Sequence, residues 1–582
     1  MTNYYIDTYV WGWDTETNSG PPISIQFYTE DLGTKSDLFM VNKDNVLSTF
    51  IKYIDKLQSK TFHVMYAHNL KFDLPSLLWP MHTELIKRNG FDFNVGAWNF
   101  TGVHGAPSFC RIYNASRKTT IYLLDSFLWF QTSLAKAADL VCPHLPKLKE
   151  PIGLGTKNYS RSDKTFVSYA MRDAEVSYHL GKVIQGFHSE FDISQSLTLA
   201  HMAAKIFRKH FLRRTLEQPS EEIMLGAQQS YHGGKNNMIP NSSPMWHTNV
   251  ASLDISSAYP YSMSQLPSFS NEDLYKKARV KASDKRTYSN GVAKFGVYLI
   301  SGITSDCNYP SLFDRSFNPI RGAFKEIWVN SFDLNAAIKA DEVKLTSISG
   351  YFYDHHKDRH DSPFHSFVTD FYQRKEGATN PVNRYMYKTV LNSLYGKFIQ
   401  TTRKEDETTG ETIYEAGGMY HPFIASAITA HTRNYIHDIE HSFNAIHTAT
   451  DGIFAPNNKA MARKLTSFNK TNETIKGLGE LKHETSGDLL LLRNKLYILY
   501  SDTEGTISSK YFKNKLISKY ALHGFQSSVY TLEELVAGYR RKYQTTRPNQ
   551  LRESMKSKGA RIPNNFETRD MVLKIGPIGL AP

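Results

Sequence analysis

Three acidic motifs open the chain. VWGWDTETN sets Asp14 and Glu16 two residues apart on an expected strand, so both carboxylates leave one face. YAHNLKFDLPSL places Asn69 and Asp73 after an expected strand over Phe62–Ala67, and SYAMRDAEVSY puts Tyr169 and Asp173 one helical turn apart. Four carboxylates that converge are what two divalent cations need to grip a phosphodiester and activate water. Mg2+ suits such a site, because it takes oxygen ligands from few carboxylates and keeps several waters. A lone DxE carries no such meaning, since acidic pairs on strand ends are common. Three motifs in this order do.

Two further stretches carry chemistry. In NVASLDISSAYPYSM, an expected strand over 250–253 leads to Asp254, a serine-rich turn and Tyr259. A carboxylate there, followed by exposed backbone N–H groups, suits a metal and a triphosphate side by side. In RYMYKTVLNSLYGKF, helical spacing puts Arg384, Lys388, Asn392 and Tyr395 on one face. The paired cations suit a polyphosphate and the ring suits a stacked base. Taken alone, K-x3-N-x2-YG fits a solvated basic helix with a core tyrosine equally well.

TVLNSLYGKF resembles the fingers-helix motif of family B DNA polymerases, nearest to the protein-primed branch of small Bacillus phages with linear genomes. The three acidic motifs resemble the exonuclease motifs of that family's proofreading domain. By that resemblance Asp14, Glu16, Asp73 and Asp173 hold metals and Tyr169 orients the attacking water. Lys149 in KEPI is assigned to the scissile phosphate, with Lys147 close by. Thr17, Asn69, Phe72, Ser126 and Phe127 match positions that grip a frayed 3′ strand, although each alone fits ordinary packing. Tyr231, Gly233 and Gly234 in QQSYHGGKNNM match a YxGG motif that contacts template strand, where paired glycines admit phosphate close to the backbone. Asp254 lies in the likeness of motif A, with Tyr259 beneath the sugar, excluding a 2′-hydroxyl. In IHTATDGIFA, Asp451 matches the second carboxylate of motif C, while Ala449 stands where the family has the first. Arg374 and Lys375 are candidate extra phosphate ligands. Lys495 and Tyr497, in LLRNKLYILY, match the KxY motif that holds the primer terminus.

Composition agrees with a polyanion partner. The 582 residues carry a formal net charge of +13, with 34 Tyr and 34 Phe, and nucleic acid is favoured over membrane. The three cysteines, Cys110, Cys142 and Cys307, show no CxxC and no disulfide framework. Neither a signal-type leader nor an apolar run of spanning length is read, so a cytoplasmic protein is expected, in host cytoplasm if viral.

The resemblance implies an α+β multidomain protein, with an RNase H-like 3′–5′ exonuclease domain and a right-hand polymerase domain of palm, fingers and thumb with two insertions. The exonuclease takes 1–190 and the first part of the palm 191–267. The first insertion, of terminal-protein-region type, takes 268–370 and the fingers 371–400. A hairpin, the second insertion, takes 401–420, the second part of the palm 421–520 and the thumb 521–582. The activity implied is DNA-directed DNA polymerase with proofreading exonuclease, replicating a linear viral or plasmid genome by protein priming. Two Mg2+ per active site are implied, with Mn2+ able to substitute. The implied partners are primer-template DNA, dNTPs and a terminal protein, on a monomer. Ala449 leaves two alternatives open: a relative acting mainly as exonuclease, and a non-catalytic DNA-binding replication factor.

Overall fold

The computed structural model describes residues 8–18, 20–81, 90–105, 107–157, 159–213, 216, 219–239, 245–268, 276–280, 288–289, 292–353, 359–405, 412–471, 475, 477–493 and 496–500. Beyond these it describes only the short strand segments 512–513, 516–517, 541–546, 568–573 and 579–580. The chain forms two units, Met1–Arg213 with Phe371–Leu394, and Arg214–Asp370 with Tyr395–Pro582.

The first unit is built on eight strands: β1 (Thr8–Thr17), β2 (Pro22–Thr29), β3 (Lys35–Met40), β4 (Phe62–Ala67), β5 (Gly90–Val95), β6 (Trp98–Val103), β7 (Phe109–Asn114) and β8 (Thr119–Asp125). Their order is β3-β2-β1-β4-β8-β7-β6-β5. β1 runs antiparallel to β2 and parallel to β4, and β4 parallel to β8. This is the RNase H-like arrangement. Trp11, Trp13, Phe27 and Phe50 fill the core on one side. The helix Lys164–Glu190, capped by Asp163 accepting the Phe166 N–H, crosses the other. Gly12 sets how closely it crosses: a Cβ there would lie 1.8 Å from the Ala174 carbonyl oxygen. Only glycine lets β1 approach the helix backbone at Ala174 and Tyr178 this nearly.

The helix Pro381–Ser393 also belongs to this unit. Pro381 opens it and the Asn380 side chain accepts the Val382 N–H. Val382, Met386, Tyr387, Val390 and Leu391 form its buried face. The Tyr387 ring lies edge-on to Phe187, 5.4 Å away, and Phe371 stacks on Phe191.

The second unit centres on a sheet ordered Leu496–Tyr500, Leu481–Arg493, Met245–Ile255, Gly452–Pro456, His447–Ala449 and Asn236–Met238, with Gly579–Leu580 parallel to Met245–Trp246. Val250, Phe454, Leu489 and Leu491 pack at its centre. Within 268–370, the strands Lys276–Val280, Val343–Phe352, Gly296–Thr304 and Gly322–Asn330 make a separate four-stranded sheet, with the helix Ser331–Lys339 against it. Thr401–Glu405 pairs antiparallel with Thr412–Ala416. The expected thumb, 521–582, lies outside the described residues apart from short strands, of which Arg541–Thr546 pairs with Thr568–Leu573. Lys495 also lies outside the described residues.

Candidate active sites

In the first unit Asp14, Glu16 and Asp173 offer ligand oxygens that all lie within 4.8 Å of one another. Asp73 stands beside them, accepting both the Thr15 N–H (3.1 Å) and the Thr15 hydroxyl (2.8 Å). Burial is the main reason these groups hold protons tightly. It pushes Glu16 up to about 8 and Asp73 to about 7, and Asp14 rises well above the carboxylate range with added repulsion from Asp73, Glu16 and Asp173. One oxygen of Asp173, Oδ1, is buried without a hydrogen-bond partner. Crowded oxygen donors, mutual repulsion and an orphaned carboxylate oxygen all fit a divalent cation. Tyr169 is buried one turn before Asp173, and burial raises its phenol to about 12.

The lysine at this cluster is Lys147, where the sequence reading had assigned Lys149. Lys147 Nζ donates to Asp173 Oδ2 at 2.6 Å and sits 5.3 Å from the Tyr169 ring centroid. Burial works to lower its pKa, yet Asp173 holds it raised. Lys149, two residues on, is exposed. The extended segment between Cys142 and Pro151 has no helical period that would have told the two apart.

The expected strand-gripping residues divide. Phe72 (51% exposed) and Phe127 (39%) present open rings, and Asn69 is exposed at a left-handed φ of 79° that asparagine tolerates. Thr17 is half-buried at a bulge in β1. Ser126 is fully buried, its hydroxyl donating to the Ala67 carbonyl and meeting His68 Nδ1. It braces β4 against β8 and presents no hydroxyl to a strand. Asp125, which the sequence reading missed, accepts the N–H groups of Asn69 and Phe127 and so ties the two exposed segments together.

In the second unit the strand end at Asp254 lies against the turn that carries Asp451. Asp254 pairs with Gly452, and the Ile255 N–H donates to the Asp451 carbonyl at 2.9 Å. A Cβ on Gly452 would lie 3.1 Å from Asp254 Oδ1, so that carboxylate overlies the residue after Asp451. The hairpin between His447–Ala449 and Gly452–Pro456 turns through Thr450 at φ 66°. Ala449 faces Asn236 across the sheet. The N–H groups just after Asp254 are engaged within the fold, Ile255 with Asp451 and Ser256 with Glu480, so those two are not the open donors the sequence reading expected.

Tyr259 stacks on Tyr395, ring centroids 4.2 Å apart and planes 12° from parallel. Burial raises both phenols, with Asp451 adding to each. Tyr231 is half-buried, and burial raises its phenol as well. Gly234 has no room for a side chain: a Cβ would meet Thr450 Cγ2 at 2.4 Å and Tyr259 Oη at 2.9 Å. Gly233 is exposed with open space.

Two buried ion pairs fix this loop, and sequence reasoning missed both. Arg433 grips Asp333 with two hydrogen bonds (2.9 and 2.6 Å) and donates Nη1 to the carbonyls of His232 and Gly233. Lys235 pairs with Glu440 at 2.5 Å, Glu440 accepts the Thr448 hydroxyl, and the Lys235 carbonyl accepts the Thr450 N–H. Tyr497 packs its ring on Phe454, 4.6 Å away, and near His447.

On the helix Pro381–Ser393, Lys388 is exposed and Asn392 half-buried. Arg384 pairs with Glu376 (3.1 Å). Arg374, expected to meet phosphate, pairs instead with Glu190 (3.1 Å) and lies over Phe191. The α-helix ends at Ser393 and Tyr395 opens a 3-10 turn, so the four-residue face read from helical spacing is interrupted before the ring.

The fold is that of a DNA polymerase. It is, more particularly, the phi29 fold. Phi29 DNA polymerase complexed with primer-template DNA superposes with a TM-score of 0.67 at 16% identity, over 98% of this chain and 100% of that one. Its complex with primer-template DNA and incoming nucleotide substrates gives 0.66 at 17% identity, with the same coverage. The model of the family described as DNA polymerase type B, organellar and viral, matches residues 164–415. The DNA polymerase of Acidianus bottle-shaped virus (isolate Italy/Pozzuoli) is 26% identical over 304 residues, 50% of this chain and 41% of that protein. The probable DNA polymerase of Agaricus bitorquis is 25% identical over 454 residues, covering 69% and 50%. That of Streptococcus phage Cp-1 is 23% identical over 394 residues, covering 62% and 64%. The chain thus spans between 41% and 64% of these curated relatives. A carboxylate cluster able to hold a cation is present in the first unit. Among the described residues no helix is long and apolar enough to cross a membrane.

Proposed function

We propose that the chain is a DNA-directed DNA polymerase with a 3′–5′ proofreading exonuclease, acting on primer-template DNA and dNTPs. The observation that carries this reading is the presence of two separate carboxylate sites, Asp254–Asp451 and Asp14–Glu16–Asp173, in one phi29-type fold. Asp254 and Asp451 are the ligands we assign to two Mg2+ ions, with Asp14, Glu16, Asp73 and Asp173 serving the second site and Mn2+ able to substitute. When bound, the cations lower the charge of the phosphates and ease ionisation of the attacking hydroxyl.

In synthesis the primer 3′-hydroxyl gives its proton to solvent as its oxygen bonds to the α-phosphorus of a dNTP, the bond from that phosphorus to the α,β-bridging oxygen breaks, and pyrophosphate leaves. Lys388, Arg384 and Arg374 are assigned to the triphosphate, for which Arg384 and Arg374 exchange a surface carboxylate for phosphate. Asn392 and Tyr395 are assigned to the incoming nucleotide, and Tyr259 closes the space a 2′-hydroxyl needs. Gly233, Gly234 and Tyr231 are assigned to template strand, and Tyr497 with Lys495 to the primer end. In editing, Tyr169 and Lys147 orient water and phosphate while Asn69, Phe72, Phe127 and Thr17 hold unpaired nucleotides. A terminal protein as primer, a linear genome and a monomeric enzyme complete the reading.

Ala449 favours one second reading, an enzyme that edits and does not extend. Extension of a labelled primer on template by the purified chain, in Mg2+ and in Mn2+, decides. Extension in either metal supports polymerase activity; degradation without extension in both supports editing alone, and binding with neither reaction supports a replication factor.

A further inference from the structure

β2 runs antiparallel to β1 with Gln26 opposite Asp14 and Ser24 opposite Glu16. Residues directly opposite in an antiparallel pair share a face, so Ser24 and Gln26 lie on the side of the sheet that carries the carboxylates. Both are fully buried. Ser24 Oγ donates to Gln26 Oε1 at 3.1 Å, and Gln26 Nε2 donates to Asp14 Oδ2 at 2.9 Å. The hydroxyl fixes which end of the amide faces Asp14, because Oε1 is already engaged as an acceptor.

We propose that Gln26 is a positioning residue for the cation site of the first unit, holding Asp14 in the rotamer that leaves Oδ1 for the cluster. The inference rests on reading Asp14 as a metal ligand. A neutral amide suits the task. It supplies a hydrogen bond that favours the ionised carboxylate in a buried setting, yet leaves the cluster its full negative charge for a cation. A lysine at the same place would compete with the cation it is meant to help. Ser24 acts one step further out, through Gln26.

The test is Mn2+ binding followed by electron paramagnetic resonance, with the share due to this site defined by what the double substitution Asp14→Ala, Glu16→Ala removes. Gln26→Met keeps length and packing and deletes the donor. It is expected to raise the Mn2+ dissociation constant of that share by about 10- to 100-fold. The metal concentration for half-maximal 3′-end degradation rises in the same proportion, with the rate at saturating metal within about twofold of wild type. Ser24→Ala moves both in the same direction by less. A folded Gln26→Met with unchanged Mn2+ affinity overturns the proposal, as does a uniform loss of rate with affinity intact, which marks a packing role. If Gln26→Met does not fold, Ser24→Ala decides, and unchanged affinity there is equally fatal. Wild-type protein that binds Mn2+ in this share but degrades no 3′ ends refutes the exonuclease reading and leaves the binding arm to judge Gln26 by itself.

Discussion

Glu16→Gln is expected to make the metal-free protein more stable, and most so in alkali. Burial, with Asp173 next, raises the Glu16 carboxyl from an ordinary 4.5 to about 8. For an acid raised in the fold, the unfolded chain releases its proton first. The penalty therefore starts near pH 4.5, grows as pH rises, and levels off above about 8. Near 1.4 kcal/mol per unit, the whole interval of about 3.5 units sets a ceiling of about 5 kcal/mol, most of it present by pH 8. Asp173 and Asp73 supply the repulsion and Lys147 relieves part of it, so one substitution recovers about 1–3 kcal/mol. At pH 5.5 only about one unit of the interval has been crossed, and the gain falls below about 1 kcal/mol. For a unit of this size each kcal/mol moves Tm by about 2–4 °C. Differential scanning calorimetry with a chelator at pH 5.5 and 8 reads both values. Saturating Mg2+ or Mn2+ must reverse the order, because the wild type binds the cation more tightly and is stabilised by mass action. A Glu16→Gln protein that is less stable than wild type with chelator at pH 8 would refute the reasoning.

Lys147→Met should slow 3′-end degradation by about 100-fold while Lys149→Met leaves it unchanged, a contrast read in a single-stranded degradation assay. Gly234→Ala drives a methyl into Thr450 and Tyr259; it should cost about 1–3 kcal/mol in a denaturant melt and lower primer extension, with degradation retained. Ala449→Asp is expected to lower the Mg2+ concentration for half-maximal extension by adding a hard oxygen ligand. The opposing effect is repulsion with Asp451, and a higher Mg2+ requirement would show that it dominates.

Asp14 with Glu16, and Tyr169 with Asp173, were legible because each pair lies within one element, where a period of two or of one helical turn fixes the face. Gly12 and Gly234 act through approaches to residues far along the chain, and nothing local announces that Ala174 or Thr450 will stand there. The same holds for Arg433 with Asp333 and Lys235 with Glu440, pairs 100 and 205 residues apart. Gln26 was hidden for a different reason: its role depends on the β1–β2 register, which periodicity leaves open. Ser126 shows the converse, a residue whose motif position suggested an exposed hydroxyl while the turn after β8 buries it. Tyr395 escaped the helical arithmetic because the α-helix stops at Ser393.

Separation of the two activities tests the central claim most directly. Purified wild type, Asp254→Asn and the double substitution Asp14→Ala, Glu16→Ala are each assayed for primer extension and for degradation of single-stranded 3′ ends in Mg2+. Asp254→Asn should lose extension and keep degradation, and the double substitution should lose degradation and keep extension. Loss of both activities in either protein, or normal extension by Asp254→Asn, would contradict two independent carboxylate sites.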